Sequence, residues 1–360
     1  MEQFTCRTRI ISGSGALEIL KEQHCRRLVM AVEPRLLHAG KIQDIVRITG
    51  SAETIFLTDV DPEPTMKQAV EASCRIREFQ PDLVVAVGSR YVLDWGKAMV
   101  CFSRHPCTLA AIPTAVGGGS EVTGCVTLTH NGHRHLLRDE SMHPDITVLD
   151  HGLAENTPKE MVREDGFTLL AAALEAYTGM NHGFLSAFHA REAFASGYAA
   201  LPAAFAGNSA ALRRLQMASV LEGLAVEETG LGLCRAMENS IGIVFGLSRG
   251  KVSAILLPAI IGCNAHAAGR RYAELSRIAG MGGSREELGI RNLKAGLIRL
   301  RRELGLPGTL VQAGVDIRSV WNSGRRIVEL TLEDPQCRNN PVTVDDFMVR
   351  RILEEITGRI

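Results

Sequence analysis

Two glycine-bearing turns hold the residues whose types and spacing could do chemistry. The first runs Val87-Gly88-Ser89-Arg90-Tyr91-Val92-Leu93-Asp94, after a β-rich run and before a helical one. The second runs Pro113-Thr114-Ala115-Val116-Gly117-Gly118-Gly119-Ser120-Glu121, again after a β-rich run. Glycine at such positions lets backbone N–H groups approach a phosphate, and the amino end of a following helix adds positive potential. In an open parallel sheet, ligands bind beyond the carboxyl ends of the strands, where turns of this kind lie. Neither turn is a GxGxxG fingerprint or a P-loop, so each taken alone also reads as a plain tight turn.

The elements around these turns fit that placement. Residues 27–32, 54–57, 82–87, 109–113 and 146–149 are short runs rich in Val, Ile, Leu and Ala, with helical stretches such as Met66 to Phe79 between them. Such alternation predicts a parallel sheet covered on both faces. Beyond Asp150 the strand signals vanish. Ala, Leu, Glu and Arg at helical spacing predict helices around Ala171–Ala176 and near 183–204, 208–229, 232–247, 251–267, 270–280, 292–304 and 344–357. The reading is an α/β domain over residues 1–151, followed by an all-helical domain over 152–360.

Composition narrows the function classes. Among 360 residues, 40 basic and 40 acidic side chains cancel, so no net field draws the chain to nucleic acid or an anionic membrane. The N-terminal MEQFTCRTRI lacks the apolar core of a signal peptide. The apolar stretch Val252 to Gly269 is interrupted by Pro258, Asn264 and His266, and reads as a buried helix. Nine cysteines without a CxxC pair point to reduced thiols in a cytoplasmic protein, most of them small core residues.

Several further segments share an order and spacing. They are Arg9 to Leu17, Asp61-Pro62-Glu63-Pro64-Thr65, residues 113–123, Leu174-Glu175-Ala176-Tyr177, Gly230-Leu231-Gly232-Leu233, Ala254 to Pro258 and Asn340-Pro341-Val342-Thr343. Together they resemble the iron-containing alcohol dehydrogenases over essentially the whole chain. That resemblance implies the dehydroquinate synthase-like pairing of a dinucleotide-binding-like α/β N-terminal domain with an all-helical C-terminal metal domain. It implies a nicotinamide cofactor in the cleft and a divalent metal polarising the alcohol oxygen during hydride transfer. Homo-oligomers are common in the family.

The resemblance also locates departures. The family's first phosphate loop reads GGGS-x-x-Asp; here Gly88 and Asp94 remain, Ser89 replaces a glycine, and Arg90 and Tyr91 bring bulk. Arg90 either obstructs a pyrophosphate or binds it by its own charge. The second loop, with Thr114, Gly117, Gly118 and Ser120, matches well. Glu33 falls where the family often carries an acid on the adenosine ribose, which would favour NAD over NADP; it also reads as a solvated acid before Pro34. Weak NAD binding is the expectation.

The metal positions depart further. The family's Asp and His, four residues apart on one helix face, fall on Thr168 and Ala172 by counting back from Glu175. The third and fourth ligands fall on Arg235 and Arg249, and a further family His on Asn239. Neither Ala nor Arg donates a lone pair to a cation. No metal is therefore expected.

Two arginines about 6 Å apart would repel by about 3 kcal/mol at an effective dielectric near 20, so they need an anion or internal acids. One reading is a small anionic ligand, a carboxylate or phosphate, held by Arg235 and Arg249. The other is internal pairing with Asp165 or Glu238. Two function classes follow. The first is an NAD(P)-dependent oxidoreductase of a small alcohol or aldehyde, working without metal, with Arg235 or Arg249 supplying charge and Thr168 or Tyr91 as candidate proton donors. The second is a non-catalytic relative with a relic cleft, and a lyase using a bound anion stands behind both.

Overall fold

The computed structural model describes residues 4–116, 118–155 and 157–358. Its contacts divide the chain into two units, one from Thr5 to Pro158 and one from Lys159 onward together with Phe4. The division falls a few residues beyond the expected one at 151. The short helix after the last strand stays with the sheet, and the Thr157 hydroxyl donates to the Thr114 carbonyl at 2.8 Å.

In the first unit the strands are β1 (Arg9–Ser12), β2 (Arg27–Val32), β3 (Glu53–Leu57), β4 (Leu83–Gly88), β5 (Thr108–Pro113), β6 (Cys125–His130), β7 (His133–Arg138) and β8 (Ile146–Leu149). Six form one sheet in the order β1-β8-β5-β4-β2-β3, with every neighbouring pair parallel. The helices are α1 (Gly40–Thr49), α2 (Met66–Phe79), α3 (Arg90–Ser103) and α4 (His151–Ala154). Alternate residues of the central strands feed two cores, as a sheet covered on both faces requires. Val29, Ala31, Val84 and Ala86 pack with Ala72 and Ile76 of α2 and Leu93 and Met99 of α3. Leu28, Met30, Val85 and Val87 pack with Ile42 and Ile45 of α1.

Three elements here lie outside the sequence reading. β1 pairs with β8 at the sheet edge, and β6 and β7 form an antiparallel hairpin. Its turn is Asn131-Gly132, at φ of 49° and 73°, the residue pair that a two-residue hairpin with two left-handed positions favours.

The second unit is helical: α5 (Lys159–Thr178), α6 (Phe184–Phe205), α7 (Ser209–Thr229), α8 (Leu233–Phe245), α9 (Arg249–Ile278), α10 (Glu286–Glu303), α11 (Ile317–Glu333) and α12 (Asp346–Thr357). Asn208, Asp316 and Asp345 cap α7, α11 and α12 by accepting a backbone N–H of the first turn. Where the sequence reading places two helices, over 251–267 and 270–280, α9 is continuous from Arg249 to Ile278. Its apolar stretch is mostly buried within the unit, as expected for a core helix. All nine cysteines are free, but only Cys25, Cys234 and Cys263 are fully buried, so fewer serve the core than expected.

One close approach sets the geometry of the helices that matter below. A Cβ on Gly250 would stand 2.2 Å from the Glu164 carbonyl oxygen and 2.4 Å from the Glu164 Cα. The first turn of α9 thus rests directly on the backbone of α5, which cannot yield as a side chain would. Gly250→Ala is expected to destabilise the protein by about 1–3 kcal/mol through overpacking, read as a lower urea midpoint. A variant within about 0.5 kcal/mol of the wild type, the spread of neutral surface changes, would show that the two helices do not meet this closely.

Candidate coenzyme loops and the family's metal-ligand positions

In the sheet unit both glycine turns lie at the carboxyl ends of adjacent strands, β4 and β5, which run in register from Leu83↔Thr108 to Gly88↔Pro113. Gly88 ends β4 and leaves room for Glu33, whose Cβ would stand 3.1 Å from a Cβ built there. Thr114 follows β5, and its N–H donates to the Gly88 carbonyl at 3.0 Å, tying the two turns together. Gly118 and Gly119 take left-handed φ of 60° and 76°, a conformation that glycine adopts without steric cost. Gly117 lies outside the described residues. Thr114 is only 1% exposed, and its hydroxyl has no hydrogen-bond partner among the described residues. A buried hydroxyl left open costs stability unless a ligand or water completes it.

The second turn is anchored by an ion inside the core. Lys97 of α3 is fully buried. Its Nζ donates to the Ser120 carbonyl at 2.9 Å, the Ser120 hydroxyl at 3.2 Å, the Thr123 hydroxyl at 3.3 Å and the Cys125 carbonyl at 2.7 Å. Asp94, one turn earlier on α3, accepts the Ser120 hydroxyl hydrogen and the Thr127 N–H, with the Lys97 ammonium 4.0 Å away. Asp94 and Ser120 are therefore scaffold to the loop. The sequence reading passed over Lys97, although a lysine within Trp95-Gly96-Lys97-Ala98-Met99-Val100 was a signal that its charge had internal partners.

Glu33 is not solvated. It is 4% exposed; one carboxylate oxygen accepts the Ser89 N–H at 2.8 Å and the other pairs with Arg35. That burial corrects the reading of Glu33 as a solvated acid. Tyr91 faces the same carboxylate, and burial first, then Glu33, push its hydroxyl up to about 12. It keeps its proton at neutral pH and is a poor acid.

In the helical unit, contacts draw the positions that the resemblance gives to metal ligands into one neighbourhood. Arg235, at the start of α8, is 4% exposed and Glu238 1%. The Arg235 Nε lies 3.1 Å from Glu238 Oε2. Ser253 of α9 donates to the other Glu238 oxygen and lies 2.9 Å from the Arg249 carbonyl. Thr168 donates to the Glu164 carbonyl at 3.2 Å, the same backbone on which Gly250 rests. Ala172 is buried, and Asn239 donates to Asp334 at 2.8 Å. Arg249 is half-buried at the first position of α9. Of the two readings for the arginines, Arg235 takes the internal one, through Glu238. Thr168 spends its proton on its own helix.

The donor set does not fit a divalent ion. A guanidinium, a methyl and a hydroxyl turned to a carbonyl stand at three of the four positions, and an arginine at the fourth. Among the described residues no three His, Cys, Asp or Glu side chains gather in a way that could hold a metal. His182, His189 and His266 are half-buried or exposed.

Glu175 completes the cluster. It accepts the Cys234 N–H at 2.6 Å and the Arg235 N–H at 3.3 Å, closing the amino end of α8. Burial and the Glu238 carboxylate raise it to about 7, against the opposing pull of the Gly232 and Cys234 N–H groups and Arg235. Its folded state therefore holds a proton that the unfolded chain, at 4.5, gives up. Stability from this group is full below about pH 4.5 and falls as pH rises to about 7, by on the order of 3 kcal/mol. Chemical denaturation from pH 5 to 8 should show this decline, and Glu175→Gln should flatten it. A decline of the same size in the variant would assign it to another group.

The iron-containing alcohol dehydrogenase family model matches residues 7–151, and the C-terminal model of the same family matches residues 164–357. The 1-propanol dehydrogenase PduQ of Citrobacter freundii is 28% identical over 370 residues, covering 99% of this chain and all of the relative. The iron-containing alcohol dehydrogenase structure from Thermococcus thioreducens superposes with a TM-score of 0.90 at 27% identity, over 98% of this chain and 99% of that one. The sulfoacetaldehyde reductase of Bifidobacterium kashiwanohense, solved with NAD+, gives 0.88 at 21% identity over 99% of each chain. With both halves matched in order and the fold shared throughout, the chain belongs to the iron-containing alcohol dehydrogenase family.

Proposed function

We propose that the protein is an NAD-dependent oxidoreductase of small alcohols or aldehydes that works without a metal ion. The observation that carries the metal-free half is the buried Arg235–Glu238 pair at a former ligand position. An ion there would have to displace a guanidinium that is already neutralised, and would find no lone pair on it. The coenzyme half is supported by the paired turns after β4 and β5, the open Thr114 hydroxyl and the NAD+ complex of the sulfoacetaldehyde reductase.

NAD, when bound, supplies the hydride acceptor. The protein's task is then to hold the alcohol and to stabilise negative charge on its oxygen as the hydride leaves. Arg235 contributes little, because Glu238 cancels its charge locally. Arg249 opens a 30-residue helix whose N-cap, Ser248, makes no side-chain capping bond. Its guanidinium and the amino end of α9 are both positive, and both are suited in kind to an alkoxide. An arginine keeps its proton, so it acts as an electrostatic partner and the alcohol proton leaves to water.

Protein purified from metal-supplemented cells should contain far less than one iron or zinc per chain by elemental analysis. It should also oxidise NADH with short aldehydes at a rate that a strong chelator leaves unchanged. Arg249→Gln should lower that rate about 10²–10³-fold, the size typical of losing one charge-stabilising donor. One tightly held ion per chain, with activity lost on its removal, would refute the metal-free reading. A folded, metal-free protein that turns over no aldehyde in a broad panel would favour the non-catalytic alternative.

A further inference from the structure

The first turn is already occupied by a group of the protein. A pyrophosphate at this turn would depend on backbone N–H groups at the start of α3. The Ser89 N–H instead donates to Glu33 at 2.8 Å, inside the fold. Glu33 is fixed on its other oxygen by Arg35, and Tyr91 crowds the same carboxylate. An anion approaching this turn meets a spent donor and a buried negative charge behind it.

The side chain between Ser89 and Tyr91 runs the other way. Arg90 lies along the second turn: a Cβ built on Gly118 would stand 3.4 Å from Arg90 Cδ and 3.6 Å from Arg90 Nη1. Its Nε sits 3.6 Å from Asp94, the residue that also holds Ser120. The guanidinium is a quarter exposed, so it is positioned by Asp94 without being sealed off. Beside it are the left-handed Gly118 and Gly119 and, after β5, the open Thr114 hydroxyl.

We infer that Arg90 is the phosphate-binding residue of this protein: it holds the coenzyme's pyrophosphate against the second turn, in place of the first-turn amide that Glu33 has taken. The inference rests on the coenzyme half of the proposed function and adds the means of recognition. A guanidinium can grip two phosphate oxygens at once, which a lysine ammonium, as a point charge, does not reproduce. Binding through a side-chain cation also depends on ionic strength more steeply than binding to neutral amides. The bulk that Arg90 brings thus serves as a ligand instead of an obstruction.

The test is titration calorimetry of the full chain with NAD, ADP and inorganic pyrophosphate, at low and high salt, for the wild type and the Arg90→Gln, Arg90→Lys and Glu33→Gln variants. Thermal melts of the free proteins serve as the fold control. Arg90→Gln should weaken all three ligands by about 10–100-fold, the range for charged hydrogen bonds, and should remove most of the salt dependence. Arg90→Lys should recover part of the affinity, and Glu33→Gln should bind more tightly than the wild type. If Arg90→Gln binds NAD as tightly as the wild type or more tightly, with the melt unchanged, Arg90 is an obstruction and the inference fails while the coenzyme reading stands. If the wild type binds none of the three, the coenzyme reading fails and the inference with it.

Discussion

A guanidinium taken out of water must be answered by a carboxylate, and in the helical unit Glu238 answers Arg235. Leaving either charge alone in such surroundings costs about 3–5 kcal/mol, a large part of a domain's net stability. The neighbouring contacts are arranged around this requirement. Ser253 donates to the other oxygen of Glu238, and Glu175 accepts the N–H groups that begin α8 and so fixes where Arg235 starts. Gly250 lets α9 come close enough to α5 for Ser253 to lie where it does. A pair of this kind adds little net stability over a well-packed apolar pair. On the metal-free reading, it puts a neutralised cation where the family places its ion.

The sheet unit uses the same physics at Lys97 and Asp94, with the opposite effect on function. There the buried cation gathers carbonyls and hydroxyls of the second turn and holds a binding loop in shape. In the first turn a buried carboxylate takes an N–H and closes that donor. Charged side chains have thus replaced or braced backbone groups at each place where a neutral, glycine-lined surface would serve a phosphate. The differences are local, within a chain that keeps the family's fold over nearly its whole length.

How much of this was legible depends on the range of the interaction concerned. The parallel strands announced themselves as continuous apolar runs, since a strand buried on both faces has no polar side to show. Helices with a clear apolar stripe were legible for the same reason. The hairpin β6–β7 was missed because only Val126 and Leu128 of β6 are fully buried, so its apolar signal is thin; Asn131-Gly132 was the available cue. The strand β1 is short and at an edge. In α11 the buried apolar positions are few, at Val320, Ile327 and Val328, among exposed Arg, Glu and Ser. The break expected between 267 and 270 is absent: α9 runs on through Gly269, where a built Cβ would meet Glu286 of α10, a packing contact that no local pattern reports. At the site, Glu238 stood out as a partner for Arg235 because it lies one turn away on the same helix. The bond from Ser89 to Glu33 spans 56 positions, and no local pattern reports a contact of that range.

The coupling between Arg235 and Glu238 also bears on reversibility. Putting a histidine back at 235 would remove the cation and leave Glu238 buried beside Glu175, which already feels its charge. Two carboxylates without a counter-ion would then stay neutral or destabilise the amino end of α8. A histidine at 249 would not mend this, because the side chain at 249 is only half-buried and Ser253 contacts its carbonyl, not its side chain. On the metal-free reading, a metal could be held here only with ligands at Thr168 and Ala172 and a counter-charge for Glu238 together. The electrostatics around Glu238 thus support that reading separately from the side chains at 168 and 172.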